Sequence, residues 1–308
     1  MSRLKKFLGV SLLGGAAVLT FLGFFHPRSY QEGERLEPLL VIADESLREL
    51  SGLVASRQHP GVLWSHSDSG NDPILYALDT QGNSHAISLE GVTLRDWEAV
   101  ALGESRLYIT EMGNNLNASK KLGVYEFLEP DPKEPGPLRA ERFIPVRYED
   151  QERFPPTDRW HFDCEAAFFF EGSLYFITKN RPAFRLLVQE ESAHLYRLDL
   201  QNLGEENLLE RVDSVEGLGG WVTGADLSAD GRWLAVLVES PQQSIWLFER
   251  PSSGDRFFSE ATRTKRYKFY EGGQLESIAF ITEDQQESLV MINEARQMFR
   301  VELAKFGE

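Results

Sequence analysis

The sequence predicts an all-β fold and, within that class, a β-propeller. Three observations carry this. Apolar runs are short and rich in Val, Ile, Leu, Phe, Tyr and Trp, and clusters of Gly, Asp, Asn and Pro separate them. One pattern of runs then returns at intervals of about 45 to 70 residues, a spacing suited to propeller blades with insertions.

The pattern opens with a small apolar strand headed by a polar residue: Ser51-Gly52-Leu53-Val54, Glu98-Ala99-Val100-Ala101, Glu165-Ala166-Ala167-Phe168, Thr223-Gly224-Ala225-Asp226 and Glu276-Ser277-Ile278-Ala279. A second apolar strand comes after each head, as at Leu63-Trp64-Ser65 and Leu174-Tyr175-Phe176-Ile177, and then a third, as at Leu75-Tyr76-Ala77-Leu78 and Ile245-Trp246-Leu247-Phe248. Four units carry a fourth strand, for example Arg142-Phe143-Ile144-Pro145-Val146. The last has none before the sequence ends, and the unassigned run Leu39-Leu40-Val41-Ile42 is placed to supply it and close the ring. Five heads imply five blades. A sixth stays open in the stretch from Glu129 to Phe162, whose prolines read instead as an exposed excursion.

Ahead of this domain, Arg3, Lys5 and Lys6 precede an uncharged run from Phe7 to Phe25, the order of a secretory signal or signal anchor. The run is close to the roughly 20 residues that span hydrocarbon, and basic residues before it favour translocation of the chain on its C-terminal side. Bulky residues after it (Phe24, Phe25, His26, Pro27) make a poor cleavage site, which favours an uncleaved anchor over a secreted, processed form. The division is therefore residues 1–28 as signal anchor or signal peptide, 29–38 as polar spacer and 39–308 as propeller. The expected location is the cytoplasmic membrane of a bacterium, with the propeller in the periplasm.

The hydrophobic fraction of 42% supports a large packed core rather than disorder. A net charge of -16, with no basic stripe to interrupt it, argues against a nucleic-acid partner. Cys164 is the one cysteine, which excludes an intrachain disulfide and a cysteine-rich zinc site.

In a propeller the first strand of each blade lines the central channel, so Ser51, Glu98, Glu165, Thr223 and Glu276 should ring one mouth of it. Two residues earlier lie Glu49, Asp96, Asp163 and Gln274, on the same strand face. At the second-strand ends His66, Asp68, Glu111, Lys179, Glu239 and Glu294 would point to the same mouth. Converging carboxylates need neutralising, and a hard cation with oxygen ligands, Ca2+ or Mg2+, would do this; the candidate ligands are Asp68, Glu98, Glu165 and Glu276. The alternative is that each Glu accepts backbone N–H bonds from the next blade and fastens the ring. No spacing amounts to a catalytic signature: nucleophile elbow, His-Glu-x-x-His and phosphate loop are all missing. His66 and Lys179 remain as candidates to orient a substrate, and His66 and His161 are the histidines nearest the mouth.

The phrases Leu50-Ser51-Gly52-Leu53 through Leu63-Trp64-Ser65-His66-Ser67-Asp68-Ser69-Gly70, Asp96-Trp97-Glu98-Ala99, Asp163-Cys164-Glu165-Ala166 and Val222-Thr223-Gly224-Ala225-Asp226 resemble a group of uncharacterised bacterial exported propellers, similar in style to the TolB-like and phytase- or esterase-like propellers. The resemblance implies a propeller over about Glu49 to Leu303. Phytase-like propellers bind calcium around an acidic channel and have six blades, so the five heads here depart from that pattern. Two functions are expected: a membrane-anchored binding or scaffolding module with an unknown protein or small-molecule partner, or a metal-dependent hydrolase of phosphate esters, carboxylic esters or lactones.

Overall fold

The computed structural model describes residues 32–47, 49–134 and 136–307, and among these it is all-β, with one 3-10 turn at Leu303–Lys305 and no α-helix. The signal or anchor segment lies outside the described residues. Among those described, no helix is long and apolar enough to cross a membrane.

Twenty of the strands form five four-stranded antiparallel units. The first unit runs Leu50–Ala55, Leu63–Ser67, Ile74–Leu78 and Ser84–Glu90. The second runs Trp97–Gly103, Arg106–Glu111, Leu122–Leu128 and Arg142–Tyr148, and the third Cys164–Phe170, Ser173–Thr178, Ala193–Asp199 and Asn207–Val215. The fourth comprises Gly220–Leu227, Trp233–Pro241, Ser244–Glu249 and Thr264–Tyr270. The fifth has Leu275–Glu283, Gln286–Asn293 and Gln297–Glu302, and takes its outer strand from the N-terminal side, where Leu40–Val41 pairs antiparallel with Met298 and Gln297.

The first strands of the units neighbour one another in a closed cycle: first to second, second to third, and so on, with the fifth back against the first. The cores lie in the same cycle. One cluster sits between the first and second units (Trp64, Trp97, Phe127), one between the second and third (Tyr148, Phe162, Phe176, Tyr196), one between the third and fourth (Phe168, Phe257, Val236), one between the fourth and fifth (Phe269, Met291, Phe299) and one between the fifth and first (Leu53, Leu63, Val290). Each unit buries apolar side chains on both faces, which is why its strands read as near-continuous apolar runs. The result is a propeller-like all-β ring.

Four of the five units have their outer strand paired on its far side as well, the exception among the described residues being Leu40–Val41 of the fifth. Leu138–Arg139 pairs parallel with the outer strand of the first unit, and Glu34–Arg35 with that of the fourth. The outer strands of the second and third units pair with each other through Val146 to Tyr148. Such covering removes the unpaired N–H and C=O groups that invite aggregation. Glu34–Arg35 falls within the stretch read from sequence as spacer. Two residues held by backbone pairing and by ion pairs to Lys305 and Glu271 need no apolar pattern, so ordered pairing begins before residue 39.

Candidate functional site

The site is built at the N-terminal ends of the five inner strands, and each of these ends carries a register irregularity. The pairing shifts between Ser51 and Leu53, Trp97 and Val100, Cys164 and Ala166, Val222 and Gly224, and Leu275 and Ser277. Such a bulge leaves a residue unpaired and re-aims its side chain. The residues so released include Glu98, Glu165, Thr223 and Glu276. In the first unit the released residue is Gly52, one place after Ser51; its φ is +68°, and a Cβ there would lie 2.7 Å from the Val100 nitrogen.

Two of the five heads turn out to be fasteners. Ser51 Oγ donates to the Glu98 carbonyl at 2.8 Å, and Thr223 Oγ1 donates to the Leu275 carbonyl at 2.8 Å, each bridging one inner strand to the next. Glu98, Glu165 and Glu276 accept no backbone N–H group among the described residues: Glu165 takes Lys179 Nζ at 2.8 Å and Glu276 takes Gln274 Nε2 at 2.9 Å. Backbone fastening by carboxylates falls to other residues. Asp163 Oδ1 accepts the Asn114 N–H at 2.6 Å, Glu239 Oε1 accepts that of Leu275 at 3.0 Å, and Glu111 accepts those of Arg95 and Asp96 at 3.0 and 3.2 Å. Glu111, whose Oε1 also takes Arg95 Nε, thus braces the turn that presents Asp96.

The mouth divides into three parts. On the third unit, charges are paired: Arg181, 1% exposed, ties Asp163, 0% exposed, at 3.0 Å, and Lys179 ties Glu165. Both cations lie over the Trp221 ring, at 4.9 Å for Arg181 and 5.4 Å for Lys179. Burial works against the Lys179 ammonium, but Glu165, Asp163 and Glu98 outweigh it and keep it protonated.

Between the first and second units lie Asp68, Asp96 and Glu98, with one carboxylate oxygen from each within 4.8 Å of the others. None of the three has a cationic partner in hydrogen-bond contact among the described residues. Burial, then Glu165, Asp68 and Asp96, pushes Glu98 well above the usual carboxylate range. Asp68 is raised to about 8 by burial and by Glu276, Asp96 and Glu165, against the opposing Ser69 N–H; Asp96 is raised to about 7 by burial, Asp163 and Glu111. Space for the trio comes from Gly113, where a Cβ would stand 2.4 Å from both Asp96 Cγ and Glu98 Oε1.

The third part gathers Glu276, Glu239, Glu294 and Glu49. Glu294 is raised to about 8 by burial and then by the other three, and Glu239 to about 7 by burial and Glu276. Carboxylates this close hold protons that a cation would displace.

His66 is placed differently from the role its sequence position suggested. It is fully buried with its ring edge-on to Trp97, its Nδ1 is 3.1 Å from the Ser67 carbonyl, and burial lowers its pKa to about 4. It is a neutral packing residue beneath the mouth. His161 pairs with His194 at 3.1 Å and with Glu190 at 2.6 Å, apart from the trio. Sequence reasoning missed Arg181, Trp221 and Gly113. A single basic or aromatic residue gives no signal of its own, and the need for Gly113 shows only once Asp96 and Glu98 are in place.

No family model matches the chain, and no curated protein matches it. Among solved structures, it is similar to the crystal structure of Myxococcus xanthus glutaminyl cyclase, with a TM-score of 0.50 and 11% identity over 90% of this chain and 100% of that one. A chain of a mitotic checkpoint complex gives a TM-score of 0.39 at 8% identity over 98% of this chain and 99% of the other, a likeness too loose to bear on fold or function. The likeness to the cyclase speaks to fold alone.

Proposed function

We propose that this protein is a five-bladed propeller closed by Leu40–Val41, which holds a hard divalent cation, Ca2+ or Mg2+, at its acidic mouth and through it binds an anionic group of a partner. Asp68, Asp96 and Glu98 would be the protein ligands, with Glu165 and Glu276 on the rim. The observation that carries this reading is the trio itself: three carboxylates offering oxygens within 4.8 Å of one another, while the nearby cations Lys179 and Arg181 are committed to Glu165 and Asp163. Oxygen-only donors in flexible geometry suit calcium, and fewer protein ligands with more water suit magnesium. The N-terminal run Phe7–Phe25 would anchor the propeller at a bacterial cytoplasmic membrane, facing the periplasm.

A second reading makes the same site hydrolytic, acting on phosphate esters, carboxylic esters or lactones. Its support is chemical: carboxylates raised to about 7 to 8 beside a buried ammonium are groups a general acid–base mechanism can use. Turnover of model esters separates the two readings.

The experiment common to both is metal content of the purified protein, with thermal unfolding in calcium, magnesium and chelator. A cation at about one hundred times its Kd should add about 2.7 kcal/mol of stability. Glu98→Gln should abolish that gain. A melting temperature indifferent to both cations and to chelator would end the cation reading.

A further inference from the structure

At the opposite end of the axis from the acidic mouth lies a cavity of about 360 Å3, formed where the inner strands of the first, fourth and fifth units end. From Thr223 to Leu227 and from Glu276 to Ile281 those strands advance four or five residues, so the cavity stands ~13 to 17 Å beyond the heads at ~3.3 Å per residue. Its walls are apolar: Val54, Leu63, Leu227, Phe280 and Ile281 all line it, and each is buried.

The charged groups in the wall are not equivalent. Glu283 is committed, accepting Thr80 Oγ1 at 2.7 Å and Arg300 Nη1 at 2.5 Å. Asp226 is buried, and each of its oxygens already accepts a backbone N–H, from Leu227 at 2.9 Å and from Phe280 at 2.8 Å. Arg57 is exposed at the rim, where its charge acts on Asp226 of the same wall, and no hydrogen bond holds its guanidinium among the described residues. The wall therefore offers a guanidinium fork free of hydrogen bonds above an apolar chamber. An arginine fork matches a carboxylate in two parallel bonds. The volume falls within the roughly 300–1,000 Å3 of small-molecule sites, which combine apolar walls with a few placed polar groups.

We infer that this cavity binds a small amphipathic carboxylate, its carboxyl group on Arg57 and its aliphatic body against Val54, Leu227, Phe280 and Ile281. This site is independent of the cation reading, because no residue of the acidic mouth lines it.

Equilibrium dialysis of the purified full chain against radiolabelled octanoate tests it, with 1-octanol and octylammonium as competitors. Octanoate should bind saturably, and octylammonium should fail to displace it. Arg57→Gln, at an exposed position where no hydrogen bond is lost, should fold normally and weaken octanoate by about tenfold or more, the worth of a charge-assisted pair. Chelator should leave the binding unchanged, which keeps a failure here distinct from a failure at the mouth. Absence of saturable binding, equal affinity in Arg57→Gln, or displacement by octylammonium as effective as by unlabelled octanoate would overturn the assignment.

Discussion

The mouth of the ring contains two neighbouring arrangements of acid that behave in opposite ways, one fully buried and one half-buried. On the third unit Asp163 and Glu165 meet Arg181 and Lys179, and every charge there has its counter-charge in hydrogen-bond contact. Between the first and second units Asp68, Asp96 and Glu98 face one another with Gly113 clearing space among them. The difference teaches which acids hold the fold and which wait for something. A paired buried carboxylate is finished as structure, whereas an unpaired, partly buried cluster is stabilised by keeping protons or by taking a cation.

The sharpest way to break this comparison is to unpair the paired side. Arg181→Met would leave Asp163 Oδ2 and Asn115 Oδ1 without their buried donor, and should cost about 3 to 5 kcal/mol of unfolding free energy in urea denaturation. Adding Asp163→Asn should recover part of that loss, since the stranded charge is gone while the amide oxygen still accepts the Asn114 N–H. If Arg181→Met unfolds at the wild-type midpoint, the third-unit pair is not what secures that side.

The unpaired side should announce itself in pH dependence. A carboxylate whose folded pKa is raised binds protons more tightly folded than unfolded. Its contribution to stability is full below its ordinary value, near 4, and is lost as pH rises through the folded value. Asp68 and Glu294 rise to about 8, and Asp96 and Glu239 to about 7. His194, lowered from 6.5 to about 4 by burial and then His161, has the opposite effect, but only below 6.5. Between pH 6.5 and 8, then, the cation-free protein should lose stability with rising pH, and a saturating divalent cation should flatten that slope. Chemical denaturation across that window, with chelator and with calcium, measures it. A flat profile in chelator would mean the acids are solvated rather than buried.

Much of the fold was legible because a ring of repeated units writes itself several times. Each inner strand is a small apolar run with a polar head, and the recurrence of heads from Ser51 to Glu276 locates strands that no single run could. The acidic mouth was legible for the same reason, since period-two geometry puts Asp96 near Glu98 and Asp163 near Glu165. What stayed hidden depends on details that repetition does not carry. The bulge displaces the first unit by one residue, so Gly52, not Ser51, occupies the released position. His66 read as a substrate-orienting residue at the mouth beside Asp68, yet strand alternation turns it inward onto Trp97. The roles of Arg181 and Trp221 come from side chains reaching across the third- and fourth-unit boundary, and such reach has no sequence period.

The two hydroxyl heads give the smallest and cleanest test of the division between fastening and function. Ser51 and Thr223 each donate one hydrogen bond to the backbone of the next inner strand, one beside the carboxylate trio and one on the other side of the ring. Ser51→Ala and Thr223→Val should each cost about 0.5 to 1.5 kcal/mol, the net worth of a hydrogen bond, with a further penalty if the carbonyl left behind finds no water. If both residues are fasteners alone, each loss should be the same with calcium as with chelator. Ser51, however, holds the carbonyl of Glu98 itself. Loosening that strand should widen the trio and reduce the calcium-induced stabilisation, while Thr223→Val leaves it intact. Thermal unfolding of the two variants with and without calcium therefore asks whether the ring merely carries the acidic mouth or also sets its geometry. Equal calcium gains in the two variants would place Ser51 with the structure and not with the site.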